Sequence, residues 1–103
     1  MELRKITENN YNLYKESDYY VLALGAIKRG ENTETEIEIS GVDAKNVAVN
    51  GTCGCTAVKN ETLNESTIRT KIKYKDCDRS FTKTVRIVEN GKVTLLKIKG
   101  TCQ

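Results

Sequence analysis

The stretch Asn50-Gly51-Thr52-Cys53-Gly54-Cys55-Thr56-Ala57-Val58 is the part of the 103-residue sequence that decides its fold. Two cysteines flank a glycine there, and the chain then returns to residues that favour β structure. The segments before it predict an arm followed by strands, and the segments after it predict three further strands. A chain of this length is expected to form one domain and to bury about two-thirds of its unfolded surface, so its core need not depend on a metal or a disulfide.

Alternating apolar and polar residues predict short strands along most of the chain. The predicted strands are Tyr19–Leu24, Thr33–Ile39, Asn46–Val49, the β-prone Thr56–Val58, Thr67–Tyr74, Phe81–Val88 and Lys92–Lys99. Asn90-Gly91 predicts a tight hairpin between the last two, because type I′ turns need positive φ at both central positions. Polar segments at 59–66 and 75–80 predict a loop and a turn, and the glycine-bracketed segment 25–30 predicts another turn. The sequence therefore predicts an all-β fold, an antiparallel immunoglobulin-like β-sandwich of about seven strands.

Two of the predicted strands carry opposite charges on their outward faces. In an immunoglobulin-type sandwich the second and fifth strands are neighbours in one sheet, and here these are Thr33–Ile39 and Thr67–Tyr74. The first presents glutamates and the second presents basic residues, namely Glu34, Glu36, Glu38, Arg69, Lys71 and Lys73. Paired antiparallel, they form a cross-strand charge ladder whose pairs contribute about 0.2–1 kcal/mol each. A slip of one residue would expose the inward isoleucines, so the ladder matters most for register.

Residues 1–18 show neither helical nor strand periodicity, and their apolar residues are too sparse to predict a core element. We expect them to form an N-terminal arm, followed by the sandwich over residues 19–103; the alternative is a partly ordered terminus. Four of the five tyrosines fall within residues 11–20, and tyrosine is favoured where one side of the ring is apolar and the other is wet. The arm is therefore expected to contact a neighbouring subunit. The candidate partner-binding residues are Tyr11, Leu13, Tyr14 and Tyr19.

The composition argues against enzymatic, membrane and nucleic-acid functions. The chain has no histidine, which removes the usual general base and the commonest metal ligand, so no catalytic, cofactor-binding or metal-binding residue is predicted. No apolar run reaches the roughly 18 residues of a membrane span, and the N-terminus lacks a signal-peptide pattern, so we expect a chain that stays or assembles in the cytosol. The net charge is +3. The basic residues of the ladder are expected to pair with glutamates of the same sheet, and they lack the interleaved aromatic residues on which single-stranded nucleic acid stacks.

Four cysteines, Cys53, Cys55, Cys77 and Cys102, leave three alternatives open. A structural zinc site would use four thiolates, but Cys-x-Cys is tighter than the usual ligand spacing. A long-range disulfide would join Cys102 to Cys53 or Cys55, although a cytosolic chain keeps its thiols reduced. The favoured interpretation is that these three are buried in a reduced core. Cys77 is expected to be exposed, between acidic neighbours that disfavour its thiolate.

Several of these residues together resemble a known family. The order Gly25-x-Ile27-x-Arg29-Gly30-Glu31, the Cys53-Gly54-Cys55-Thr56 motif and a hairpin ending in Ile98-x-Gly100 are similar to those of bacterial immunoglobulin-like domains with a Cys-Gly-Cys-Thr motif, which are related to hydin-type (ASH) domains. The match covers roughly residues 19–102, without the proline and the secretion signal common in the family. The resemblance implies a binding or structural module with no catalytic residues.

A short single domain of this type also resembles the immunoglobulin-like auxiliary proteins of tailed-bacteriophage capsids, at the level of the fold. We therefore expect a non-enzymatic structural protein, an auxiliary or decoration protein of a bacteriophage capsid. It would bind the major capsid protein or other structural subunits in many copies, in a virion assembled in the host cytoplasm. The alternative is an immunoglobulin-like binding or adhesion module, for protein or carbohydrate, in the cytoplasm or cell envelope of a bacterium. No cofactor, nucleic acid or membrane is an expected partner.

Overall fold

The computed structural model describes residues 1–8, 10–28, 33–52, 56–74 and 80–102. Within these ranges the chain forms nine strands and one short 3-10 helix, Ala44–Asn46. The strands are β1 (Glu2–Lys5), β2 (Asn12–Lys15), β3 (Tyr20–Ile27), β4 (Thr33–Ser40), β5 (Val47–Gly51), β6 (Thr56–Asn64), β7 (Thr67–Tyr74), β8 (Ser80–Glu89) and β9 (Lys92–Cys102). None of the helical structure in the described chain is long and apolar enough to cross a membrane.

The strands form two sheets that pack face to face. One sheet has four strands in the order β1-β4-β7-β6, and the other has five in the order β2-β3-β9-β8-β5. Neighbouring strands are antiparallel except β3 and β9, which run parallel. This arrangement confirms the predicted immunoglobulin-like β-sandwich, with nine strands in place of about seven.

The pairing of β4 with β7 confirms the predicted charge ladder. The two strands are antiparallel, and their outward residues stand opposite each other as Glu34–Lys73, Glu36–Lys71 and Glu38–Arg69. The inward residues of the two strands are all buried, namely Thr33, Thr35, Ile37, Ile39, Ile68, Thr70, Ile72 and Tyr74. The period of two in the sequence thus fixes both the pairing and the face that each strand turns to the core.

The core fills the space between the two sheets. Aliphatic side chains of both inner faces form one cluster, and the rings of Tyr74 and Phe81 stack at a centroid distance of 4.3 Å. Gly100 lies opposite Phe81 on β9, where a Cβ atom would come within 2.6 Å of the Phe81 ring. A side chain at position 100 would therefore displace Phe81 from its stack.

The hairpin between β8 and β9 is as predicted. Glu89 pairs with Lys92, so the loop has two residues. Asn90 has φ of 49° and Gly91 has φ of 82°. Both angles lie in the region that a type I′ turn requires, which explains why Asn-Gly occupies these positions.

Residues 1–18 contain two strands that the sequence did not predict. β1 pairs with β4 at one edge of the four-stranded sheet, and β2 pairs with β3 at one edge of the five-stranded sheet. Leu3 lies in the core with 8% exposure. The expectation that this segment contributes no core element is therefore wrong, because a four-residue edge strand needs only one inward apolar side chain and so shows no periodicity.

Two predicted connections are also wrong. The segment predicted as a polar loop at 59–66 belongs mostly to β6, whose outer edge is open and whose residues are mostly exposed, so it lacks the apolar pattern of a buried strand. The predicted turn after Gly25 is instead part of β3, which continues to Ile27 through an irregularity between Ala23 and Gly25. Gly25 has a positive φ of 70° there, which glycine adopts without strain. The turn predictions for Gly30 and for 75–79 lie outside the described residues.

Cys102, near the end of β9, lies in a disulfide bond and packs against the core. The prediction of a reduced Cys102 is therefore wrong, because it assumed a reducing compartment. The predictions for Cys53, Cys55 and Cys77 lie outside the described residues. A native disulfide of a small domain typically contributes about 2–4 kcal/mol, largely by constraining the unfolded chain.

Candidate protein-docking face

The groove over the four-stranded sheet is lined by charged side chains. It has a volume of about 360 Å³ and is lined by Glu36, Lys59, Asn60, Glu61, Arg69 and Lys71. Within the described chain, no group of three or more histidine, cysteine, aspartate or glutamate residues is placed to hold a metal ion. The described residues that line the groove include no cysteine and no hydroxyl side chain.

Each outward glutamate of β4 is paired with a cation of the same four-stranded sheet. Lys71 Nζ lies 3.4 Å from a carboxylate oxygen of Glu34 and 3.5 Å from one of Glu36. Glu34 and then Glu36 raise the pKa of Lys71 above its ordinary value, because both carboxylates favour the charged ammonium. Arg4 of β1 lies 3.0 Å from Glu38, so the third glutamate of the ladder is paired by a strand that the sequence did not predict.

The outer face of the five-stranded sheet has a different character. Side chains alternate between the two faces of a strand, and the inward side chains of β8 and β9 are those of the core. At the described outward strand positions of this sheet there is no aspartate or glutamate. We define the docking face of this sheet by Tyr14, Tyr19, Val21, Arg86, Val88, Val93, Leu95, Lys97 and Lys99.

One half of the docking face is organised around Val21. This side chain points away from the core, yet it is 0% exposed. Its neighbours in register are Tyr14 on β2 and Lys97 on β9, and Lys97 Nζ lies 4.2 Å from the centroid of the Tyr19 ring. These long side chains cover Val21, and the cation–π contact holds Lys97 in one orientation.

The other half of the docking face is aliphatic. Val88 stands opposite Val93, and Leu95 stands opposite Arg86, across the β8–β9 hairpin. Val93 is 45% exposed, and Val88 and Leu95 are partly exposed. Apolar side chains at successive outward positions of a hairpin give a surface that water solvates poorly.

Three cations give the docking face its charge. Arg86, Lys97 and Lys99 form no ion pair with any residue of the described chain. Lys97 and Lys99 are two residues apart on one strand, so their Cβ atoms are separated by about 6.6 Å. Arg86 is diagonal to Lys97, at about 7–8 Å. The docking face therefore combines an apolar surface with positive charge that the described residues of the sheet do not neutralise.

The four candidate partner-binding residues fall into two groups. Tyr11 and Leu13 are partly buried against the core, and Lys5 Nζ donates a hydrogen bond to the Tyr11 carbonyl oxygen. Tyr14 and Tyr19 lie on the docking face, Tyr14 with 44% exposure. The structure therefore brings two of the four together on one surface, and their role in binding stays a prediction.

Sequence analysis did not identify Val93, Leu95 and Lys97 as members of a surface. The hairpin sequence does contain a sign of this surface, namely apolar residues at outward positions, which are usually polar on a solvent-facing strand. Val93 and Leu95 break that alternation on β9. This break indicates a surface only once strand pairing places the two residues beside Tyr19 and Lys97. The parallel pairing of β3 with β9, which does so, has no local sequence signal.

Comparison with known proteins gives structural similarity but no family. A scan against protein-family models found no matching family, and no curated protein sequence matches the chain. Among solved structures, the chain is similar to the crystal structure of the S-layer protein SbsC domains 4 and 5, with a TM-score of 0.46 and 12% sequence identity. The similarity covers 89% of this chain and 47% of that chain, so this chain spans about half the length of that structure.

Proposed function

We propose that this protein is a non-enzymatic structural protein that binds another protein through the docking face. The observation that supports the proposal is the contrast between the two outer faces. The outward glutamates of β4 are each paired with a cation of the four-stranded sheet, whereas the five-stranded sheet exposes tyrosine and aliphatic side chains among cations that form no ion pair with any described residue. Tyrosine and arginine are enriched at protein–protein interfaces, where an apolar centre is surrounded by a polar rim.

A site-specific photo-crosslinking experiment tests the proposed surface. A photoreactive amino acid such as p-benzoylphenylalanine is placed at Val93 on the docking face, or at Leu63 on β6 as the control, in the full-length chain in its native producer. Both positions are exposed apolar residues, 45% and 39% exposed. We expect one stoichiometric protein adduct from position 93 and none from position 63. Adducts of equal yield from both positions, or from neither, would contradict the proposal.

The more specific form of the proposal is an auxiliary or decoration protein of a bacteriophage capsid, with the major capsid protein as partner. It is supported by the resemblance of the sequence to such proteins and by an outer face free to lie on a shell. Mass spectrometry of purified particles tests it. The protein should be present at a copy number tied to that of the capsid subunit, and its absence from particles would refute this form.

The second candidate function is an immunoglobulin-like binding or adhesion module of a bacterium, and the Cys102 disulfide favours it. Disulfides persist in oxidising environments such as the cell envelope and are rare in the cytosol. Alkylation of native cells before lysis, followed by mass spectrometry of the Cys102 peptide, separates the two settings. A blocked Cys102 in envelope fractions supports the adhesion module, and a freely alkylated Cys102 supports assembly in the cytoplasm.

A further inference from the structure

Within the proposed protein-binding function, the docking face also defines the chemistry of its partner. We infer that the partner is a protein surface that presents carboxylates among apolar side chains. Arg86 lies diagonal to Lys97 at about 7–8 Å, Lys97 is about 6.6 Å from Lys99, and no described residue forms an ion pair with any of the three. Their mutual repulsion is present in the free protein and is relieved when carboxylates approach.

The arrangement of the cations matches an acidic strand. The separation of about 6.6 Å between Lys97 and Lys99 equals the spacing of alternate side chains on any extended segment. A partner strand with two acidic residues at alternate positions would therefore place one carboxylate at each lysine. Lys97 is already oriented by the Tyr19 ring, 4.2 Å away, so binding immobilises fewer of its rotamers.

The size of the docking face suits a protein partner. The five strands have 4, 8, 11, 10 and 5 residues in sheet order. With strands about 4.8 Å apart and about eight residues long on average, the face spans about 24 Å by 26 Å, or on the order of 600 Å². A standard protein–protein interface buries about 800 Å² on each partner. The whole sheet face, apolar and basic parts together, is therefore needed for stable binding, and a partner that contacts only the apolar part would bind weakly.

Other occupants suit the face less well. Nucleic acid binding is typical of domains with pI above 9 and with free aromatic faces for stacking. This chain has a pI of about 8.7, and Lys97 already occupies a face of Tyr19. A second copy bound face to face would bring Arg86, Lys97 and Lys99 against the same three cations, which is repulsive. An acidic protein surface satisfies both the charge and the apolar area.

The test compares two variants with the same change in net charge. The first is Arg86→Gln, Lys97→Gln, Lys99→Gln on the docking face. The control is Lys28→Gln, Lys45→Gln, Lys59→Gln, at three exposed cations outside the docking face. Each is combined with the photoreactive residue at position 93 in the full-length chain, and the yield of the adduct is measured at about 0.1 M and about 1 M NaCl, which shortens the Debye length from about 10 Å to about 3 Å.

We expect the docking-face variant to lose about tenfold or more of the adduct at low salt and to lose its salt dependence, while the control keeps both. Equal yields in the two variants, with the adduct intact at both salt concentrations, would overturn the acidic partner and leave the protein-binding function in place. The absence of an adduct from every variant would overturn both the acidic partner and the protein-binding function. Adducts between position 93 and a second copy of the chain would also overturn the inference. So would stoichiometric binding of a single-stranded oligonucleotide, or of vesicles with anionic lipids, that prevents the adduct from forming. Circular dichroism confirms that both variants fold.

Discussion

Asn60 links the two sheets at the edge where β5 and β6 meet, and its replacement gives a sharp test of the fold. Its Nδ2 donates to the carbonyl oxygen of Val49 on β5 at 3.1 Å. Its Oδ1 accepts from the hydroxyl of Thr70 on β7 at 3.0 Å, and Thr70 is 0% exposed. One side chain on an exposed edge strand therefore satisfies a buried hydroxyl and a carbonyl of the opposite sheet.

The Asn60→Ala variant loses both hydrogen bonds and leaves the Thr70 hydroxyl buried without a partner. A hydrogen bond contributes about 1 kcal/mol net, and an unsatisfied buried group costs about 1–3 kcal/mol. We expect a loss of about 2–3 kcal/mol in the free energy of unfolding. In a Thr70→Val background there is no buried hydroxyl to leave without a partner, so Asn60→Ala should lower the free energy of unfolding by only about 1 kcal/mol.

The coupling between the two positions is measured by a double-mutant cycle. Urea unfolding with the disulfide intact gives the free energies of the wild type, Asn60→Ala, Thr70→Val and the double variant, compared at equal m-values. We expect a coupling energy of about 1 kcal/mol or more between Asn60 and Thr70. Costs that add within about 0.3 kcal/mol would show that the Asn60 amide does not satisfy Thr70, and the bridging role would be refuted.

Two further predictions concern a close contact in the core and the charge ladder. Gly100→Ala should lose about 1–3 kcal/mol of stability by overpacking against Phe81, whereas the control Thr101→Ala should change the stability little. Phe81→Leu in the Gly100→Ala background should recover part of the loss. If it does not, the strain does not lie at the contact with Phe81. Lys71 has a raised pKa because of Glu34 and then Glu36, so its stabilisation is fully present below the ordinary pKa of 10.5 and is lost as the pH rises through the raised value. The stability difference between wild type and Lys71→Gln should therefore shrink above about pH 10.5, and a difference that stays constant across this range would contradict the pairing.

The parts of the fold that could be predicted are those with a local pattern. Thr33–Ile39 and Thr67–Tyr74 alternate cleanly, so their strands, inward faces and charge register follow from the sequence. Asn90-Gly91 defines a hairpin because few residue pairs tolerate positive φ twice. These features depend on residues close together in the chain, or on two strands whose patterns are complementary.

The parts that could not be predicted depend on pairing between distant segments. β1 is a strand because β4 offers it a partner, and Leu3 alone gives it a place in the core. After Val58, β6 is mostly polar and exposed along the open edge of its sheet, so this part resembles a loop. The docking face exists only because β3 and β9 run parallel, which brings Tyr19 and Val21 beside Lys97. No single segment carries that information.

The two sheets fix their strand register by different means, and this difference distinguishes the charge ladder on one outer face from the apolar and basic surface on the other. In the four-stranded sheet the outward charges of β4 and β7 select the register, so replacing them would cost pairing specificity. In the five-stranded sheet the register is set at positions away from the outer face: the Asn90-Gly91 turn, the positive φ of Gly25 and the contact of Gly100 with Phe81. The register of β8 and β9 therefore does not depend on charged pairs between their outward side chains, and these positions can carry the apolar and basic residues of the proposed docking face.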